Sequence, residues 1–164
     1  MADRSGFDDY VEKHSDRLLR SAYLLTQDWA RAEDLLQTAL AKAWIAWGRV
    51  SDDPSPYVYR ILTNTHASWW RRRWRGEVPT AQLPESSQPD PTAAFDDRDA
   101  MWTALARLSA RQRAVVVLHY FESLPLTQVA DILGCSASTV KTQLRRALLR
   151  LQVDPALQAL NEVR

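Results

Sequence analysis

Cysteine and glycine are scarce in this 164-residue chain, which has one cysteine and four glycines, and long apolar runs are missing. A single cysteine cannot form an internal disulfide or a multi-cysteine zinc site. The longest aliphatic run, Val115 to Leu118, is far too short to cross a bilayer, and the first residues lack the apolar core of a secretory signal. These absences exclude membrane-inserted, secreted disulfide-rich and zinc-finger classes, and we expect a cytoplasmic protein.

Net charge varies along the chain, although its total is only +1. Residues 1–75 carry a net charge of +2, residues 76–100 carry −5 and residues 101–164 carry +4. Two basic ends on either side of an acidic middle indicate a polyanionic partner such as a nucleic acid.

The N-terminal part predicts three helices, because its apolar residues recur at steps of three or four. Asp28 is suited to cap the second helix. One face of the first helix carries Phe7, Tyr10, Val11, His14, Leu18, Ala22 and Leu25. Proline fits the first turn of a helix, so the third should start near Pro56 and end near Arg75. With no strand alternation and no internal repeat, the pattern favours an all-α fold.

Composition divides the chain into two small helical domains, residues 1–75 and 95–153. Between them, residues 76–94 are rich in proline, serine, glutamine and threonine and show no apolar period, which is typical of a flexible linker. Residues 154–164 follow a helix-ending Asp-Pro step and are expected to form a short C-terminal tail.

Capping residues mark the helices of the second domain. Ser109 with Gln112 makes a capping box. Thr127 and Ser136 are candidate caps of the two helices that follow, and Gly134 suits the left-handed turn between them.

Residues 126–146 have the spacing of a helix-turn-helix. Ala130 is small where the helices must approach, and Val140 packs back under the first helix. The polar residues of the second helix avoid this packed face and could reach a DNA major groove; they are Lys141, Thr142, Arg145 and Arg146. The alternative is an ordinary helical hairpin with a solvated basic face.

The third helix mixes aromatic and basic side chains and has no acid from Arg60 onward. Indoles stack on exposed bases while arginines hold phosphates, so this mix indicates contact with single-stranded nucleic acid. The alternative is a core helix whose tryptophans pack inward, and the pattern does not say which of Trp69, Trp70 and Trp74 are exposed. His66 lies among these residues and is a weaker candidate contact.

The second helix has a polar side made by Glu33, Asp34 and Gln37, away from an apolar stripe that includes Trp44. By itself such a side is usually a solvated face. Enzyme signatures are missing: there is no glycine-rich phosphate loop, and His14 and His119 fall on apolar faces. We therefore expect no catalytic residues, no cofactor and no metal site.

Together these segments resemble an extracytoplasmic-function (ECF) sigma factor of the sigma-70 family, a bacterial RNA polymerase specificity subunit. The resemblance implies a region 2 domain, a linker and a region 4 helix-turn-helix, and a function in promoter-specific transcription initiation without catalysis. It implies core RNA polymerase and promoter DNA as partners, and an anti-sigma factor as a further candidate.

The resemblance also assigns residues to each partner. The segment 33–37 with Ala43-Trp44 is similar to the one that docks on polymerase, which implies polymerase binding by Glu33, Asp34, Leu35 and Gln37. The segment from Tyr57 is similar to the one that melts and reads the −10 element, which implies roles for Arg60, Asn64, Trp69, Arg71, Arg72 and Arg73. The last helix is similar to the reader of the −35 element, which implies roles for Ser136, Thr139, Lys141, Thr142, Arg145 and Arg146.

Three positions depart from the family pattern, which often has acidic residues at Arg31, Thr38 and Ser68. The arginine-rich form is similar to a subgroup common in actinobacteria.

Two other classes are alternatives to the sigma factor. A stand-alone helix-turn-helix regulator would bind duplex operators as a dimer without polymerase. A helical RNA-processing enzyme would need clustered carboxylates or a metal site.

Overall fold

A computed structural model describes residues 4–50, 52–74 and 97–163. In these ranges the chain is helical and has no strand, so the all-α fold class is confirmed. The proposed linker, residues 76–94, lies outside the described residues. The helices are α1 (Phe7–Thr26), α2 (Trp29–Ala46), α3 (Ser55–Trp74), α4 (Asp97–Ala106), α5 (Ala110–Val116), α6 (Leu126–Leu133), α7 (Ala137–Gln152) and α8 (Pro155–Val163). None of the described helices is long and apolar enough to cross a membrane.

Most helix boundaries follow the predicted caps. The Asp28 side chain accepts a hydrogen bond from the Arg31 backbone N–H at 3.2 Å and starts α2. Ser109 and Gln112 form the reciprocal capping box at the start of α5. These caps form where predicted because each side chain bonds a backbone group only a few residues away.

Two boundaries differ from expectation. Helix α6 starts at Leu126, with Pro125 as its cap residue, so the prediction of Thr127 as the cap is wrong. The backbone N–H of Val129 already bonds the Pro125 carbonyl oxygen, which places Thr127 inside the helix. The expected short tail is instead helical, because Pro155 occupies the first turn of α8 and the Asp154 carboxylate accepts the Ala156 backbone N–H.

The end of α5 is irregular. It continues into a π-helical turn, Val117–Phe121, after which the Glu122 backbone N–H bonds the Val117 carbonyl oxygen. Ser123 then adopts a left-handed conformation with φ of 56°. This wider turn and reversal bring the side chain of Glu122 back toward the rest of the molecule.

One hydrophobic core joins the two halves. Leu18 on α1 and Leu62 on α3 belong to the same buried cluster as Val117, Val129 and Val140 from the C-terminal half. A smaller cluster belongs mainly to the C-terminal half; its buried members are Ala104, Leu105, Leu108, Val116, Ala147 and Leu151. Any surface that contacts a partner must therefore lie on the outer faces of this shared core.

Candidate nucleic-acid interfaces

The helix-turn-helix is formed by α6 and α7. Gly134 ends α6 in the left-handed conformation, with φ of 68°. The Cys135 backbone N–H bonds the Ala130 carbonyl oxygen at 3.1 Å and tightens the turn. Ser136 caps α7 by accepting the Thr139 backbone N–H at 3.1 Å. This geometry fixes the direction in which α7 leaves the turn.

The outer face of α7 is polar, basic and exposed. Its exposed members are Ser136, Lys141, Thr142, Arg145 and Arg146. Thr139 is half-buried and shares a hydroxyl hydrogen bond with Ser136 at 2.8 Å. In the described part of the chain no carboxylate forms an ion pair with Lys141, Arg145 or Arg146. Their charges therefore face solvent and are available to an anion.

Exposed apolar residues continue this face toward the end of α7, a feature that the sequence interpretation missed. A shallow cavity of about 270 Å³ is lined by Leu144, Leu148 and Leu149 together with Lys141 and Arg145. Leu149 is 53% exposed. The apolar period predicts an internal face made by Val140, Leu144, Leu148 and Leu151, but Leu148 is 40% exposed and Leu149 lies outside that period.

The exposed stripe of α3 carries Arg60, Asn64 and Arg71, which are spaced so that they follow one side of the helix. Arg72 is also exposed, and the Arg73 side chain lies outside the described residues. Trp69 packs against the core, whereas Trp70 is 39% exposed. Trp70 therefore presents the more accessible indole, and the stacking role of the partly buried Trp69 stays a prediction.

His66 lies on the inner side of α3, half-buried. Burial, and then the positive charges of Arg113 and Arg31, lower the pKa of His66 to about 4. The imidazole is therefore neutral at physiological pH. This position does not fit the weaker prediction that His66 contacts nucleic acid.

An open cavity of about 530 Å³ lies beside the start of α3. Its lining includes Tyr10 and His14 from α1, and Trp47, Asp52 and Pro54 from the connection between α2 and α3. The rings of Tyr10 and Trp47 are 5.3 Å apart, and those of Tyr10 and His14 are 4.4 Å apart. These rings pack on one another and Tyr10 is buried, so most of the surface that this open cavity offers is polar.

The polar side of α2 is exposed at Glu33, Asp34 and Gln37. Leu35 is fully buried, so it supports this face from beneath instead of contacting a partner. Further along the same helix Trp44 is 43% exposed and Ile45 is 69% exposed. Trp44 was expected in the internal stripe, but it lies one position beyond the buried Ala43 and so turns toward solvent. The face thus combines acidic and apolar contacts.

Two family models match the chain. The model of sigma-70 region 2 matches residues 10–76, and the model of sigma-70 region 4 matches residues 98–151. The chain is 45% identical over 150 residues to the RNA polymerase sigma-E factor of Streptomyces coelicolor, covering 90% of this chain and 85% of that protein. It is 34% identical over 149 residues to the ECF RNA polymerase sigma factor SigL of Mycobacterium tuberculosis, covering 87% and 84%.

Solved structures share the fold. The sigma factor RpoE of Bartonella quintana, solved in complex with the anti-sigma factor NepR, matches with a TM-score of 0.71 and 27% identity. That match covers 89% of this chain and 94% of RpoE. CnrH, solved with the cytosolic domain of CnrY, matches with a TM-score of 0.65 at 21% identity, over 92% of this chain and 87% of CnrH.

Proposed function

The chain belongs to the ECF sigma factors of the sigma-70 family, subunits that give RNA polymerase its promoter specificity, and from that premise we propose how its surfaces divide this task. It acts by binding and positioning, without catalysis of its own. Residues 1–75 dock on polymerase and handle the −10 element, residues 95–153 read the −35 element, and residues 76–94 connect them. Core RNA polymerase and promoter DNA are its partners, in the cytoplasm.

Helix α7 reads the −35 duplex from the major groove. The observation that carries this proposal is the exposed basic face of α7, which forms no ion pair within the described residues. Arginine and lysine donate hydrogen bonds to guanine O6 and N7, and threonine can donate to or accept from a base edge. Ser136 and Thr139, at the start of the helix, lie where backbone N–H groups attract a phosphate.

Helix α3 and the open cavity beside its start handle the melted −10 strand. Asn64 offers both a donor and an acceptor to an unpaired base, and Arg71 and Arg72 hold phosphates. Stacking of one base on an indole such as Trp70 contributes about 1–3 kcal/mol. The cavity beside Tyr10 and Trp47 adds a pocket for a second, extruded base, which offsets the unstacking cost of melting.

The face of α2 docks on core polymerase. Glu33, Asp34 and Gln37 supply polar and negatively charged contacts, and Trp44 with Ile45 supplies the apolar anchor that stable interfaces require. An anti-sigma factor is a further proposed partner, since the related RpoE was solved in complex with one.

Run-off transcription with purified core polymerase on a set of candidate promoters tests this function. Arg146→Ala or Lys141→Ala should cost about 1–3 kcal/mol and relax preference at single base pairs of the upstream element. Arg150→Ala is the matched control, because Arg150 lies on the same helix but contacts the Arg107 carbonyl oxygen and Gln112. If both test variants keep full activity and base preference, α7 is not the reader. Operator binding as a dimer without polymerase would favour the stand-alone regulator.

A further inference from the structure

Trp29, the first residue of α2, is a large aromatic side chain left exposed at one end of the proposed docking face. The residue is 52% exposed. Its indole lies flat on the ring of Tyr23 from α1, with ring centroids 3.9 Å apart and planes that differ by 9°. Because Tyr23 covers one face of the indole, the exposed area must include the opposite face. Neither the apolar stripe nor the polar side of α2 predicted from the sequence includes Trp29.

A third ring holds this arrangement in place. Tyr23 also stacks on Trp102 of α4, with ring centroids 5.8 Å apart and planes that differ by 23°. The indole of Trp29 therefore has a fixed orientation before any partner arrives, so a partner that binds it has little side-chain entropy to remove. A rigid, accessible aromatic ring of this kind is typical of the residues that contribute most to protein interfaces.

Negative charge surrounds this ring. Glu33 lies one turn further along α2, and side chains of a helix point back toward its N-terminus, so the Glu33 carboxylate leans over the turn that carries Trp29. Glu33 is exposed and forms no ion pair within the described residues. Burial first, and then Asp99 and Asp28, raise the pKa of the Tyr23 hydroxyl, which shows the same negative potential beneath the stack. These surroundings favour a cation on the open face of the indole.

The opposite end of α2 already contains such a pair. The Arg4 guanidinium carbon lies 3.6 Å from the ring centroid of Trp44, which is 43% exposed. Within the described residues this is the one cation placed over an aromatic ring, so the open face of Trp29 has no guanidinium or ammonium group from this part of the chain. The two exposed indoles of α2 thus differ in that the cation for Trp29 has to come from a partner.

We infer that Trp29 and Glu33 form a slot for one arginine side chain of core polymerase, whose guanidinium stacks on the indole and pairs with the carboxylate. The inference rests on the proposed function, since it deepens the docking role of α2. Arginine fits this slot better than lysine, because a planar guanidinium can stack on an indole while its N–H groups still reach a carboxylate. The slot extends the docking face to the start of α2, 15 positions before Trp44, or roughly 22 Å along the helix.

Binding of the full chain to immobilised core polymerase, followed by biolayer interferometry, tests the slot. Trp29→Ala should raise the Kd about tenfold. Trp29→Phe should raise it only about threefold, because the smaller ring can still stack on Tyr23 but attracts a cation less strongly. Tyr120→Ala is the matched control: Tyr120 is an equally exposed aromatic residue, at 53%, on the turn after α5, and its loss should leave the Kd unchanged. Urea unfolding of each variant shows that the fold is kept.

A double-mutant cycle tests whether the two residues hold the same arginine. Glu33→Gln alone should raise the Kd about tenfold, and Glu12→Gln, which removes an exposed carboxylate of α1, should not. If Trp29 and Glu33 share one guanidinium, the double variant should bind about as weakly as the weaker single variant, since the arginine is already released. Independent contacts would multiply to about a hundredfold and would overturn the shared slot.

Cross-linking identifies the chemistry of the partner directly. Trp29→p-benzoylphenylalanine is bound to core polymerase and irradiated, and mass spectrometry of the digested complex locates the adduct. We expect the adduct within one helical turn of a polymerase arginine, and an adduct on a segment without arginine would overturn the inference. If Trp29→Ala binds like the parent while Asp34→Arg still weakens binding, the slot is refuted and the docking face stands. A parent chain that does not bind core polymerase would instead refute the proposed function, and the slot with it.

Discussion

Replacing Arg113 should destabilise the chain more than replacing any exposed arginine. Its guanidinium is buried and donates to four backbone carbonyl oxygens, those of Leu25, Leu105, Ala106 and Leu108. Burial lowers its pKa to about 10, so the group stays charged at neutral pH. In Arg113→Met the chain keeps a long side chain but loses all of these donors.

The magnitude follows from which acceptors keep a partner. The Leu105 carbonyl oxygen still accepts the Leu108 backbone N–H. The Leu25 carbonyl oxygen on α1 loses the hydrogen bond that Arg113 on α5 donates to it. Each buried acceptor left without a donor costs about 1–3 kcal/mol, and relief of the guanidinium's desolvation offsets part of the sum. A net loss of about 3 kcal/mol is expected, which lowers the melting temperature by about 6–12 °C in a chain of this size.

Urea and thermal unfolding, followed by circular dichroism, measure the effect. Arg111→Met is the control, because Arg111 is exposed on the same helix and should change stability by less than about 0.5 kcal/mol. Arg113→Lys should recover less than half of the loss, since one ammonium cannot span carbonyls on two helices. An unfolding midpoint for Arg113→Met equal to that of Arg111→Met would refute the reasoning.

Four further outcomes are expected. Because folding lowers the pKa of His66 to about 4, the unfolded chain binds the proton first, and the free energy of unfolding should fall as pH drops from about 6.5 to 4. In His66→Gln the urea unfolding midpoint should depend less on pH within that window. An unchanged dependence on pH would contradict this. Ser123→Gly should stabilise by about 0.5–1 kcal/mol in urea unfolding by relieving the left-handed strain, and a loss of stability would argue against it. Asp34→Arg should weaken co-purification with core polymerase while circular dichroism shows that the fold is kept. Unchanged co-purification would contradict docking through this face of α2. Asn64→Ala should reduce the permanganate reactivity of thymines near the start site, and a pre-melted template should rescue it. If the variant opens the native promoter as well as the parent does, α3 has only a structural role.

Local features of the fold were predictable from the sequence. The bounds of α1 and α3 and the caps at Asp28, Ser109 and Ser136 depend on residues a few positions apart. The turn between α6 and α7 is equally local, because it depends on the left-handed conformation of Gly134. The tail was misjudged because Asp-Pro ends one helix and equally starts another, and the Arg107–Asp154 pair that anchors α8 joins residues 47 apart.

Which side chains face solvent was less predictable. Apolar spacing identifies an internal stripe, but it does not decide its edges, and Trp44, Trp69 and Trp70 all lie near such edges. Their exposure is decided by neighbours on other helices. The burial of Leu35 follows the same rule, since it lies between the exposed Asp34 and Gln37 yet belongs to the shared core.

The contacts between the two halves also determine when, during synthesis of the chain, the fold can be completed. The Ser21–Glu122 and Arg17–Glu122 contacts join residues 101 and 105 positions apart. At about 5–20 residues per second, a ribosome needs roughly 5–20 s to add the residues between the two ends of such a contact. For the later part of that interval α1, α2 and α3 have been made, but the C-terminal residues that complete their shared core have not. The N-terminal half is therefore synthesised first, and its packing is completed only when the C-terminal half follows.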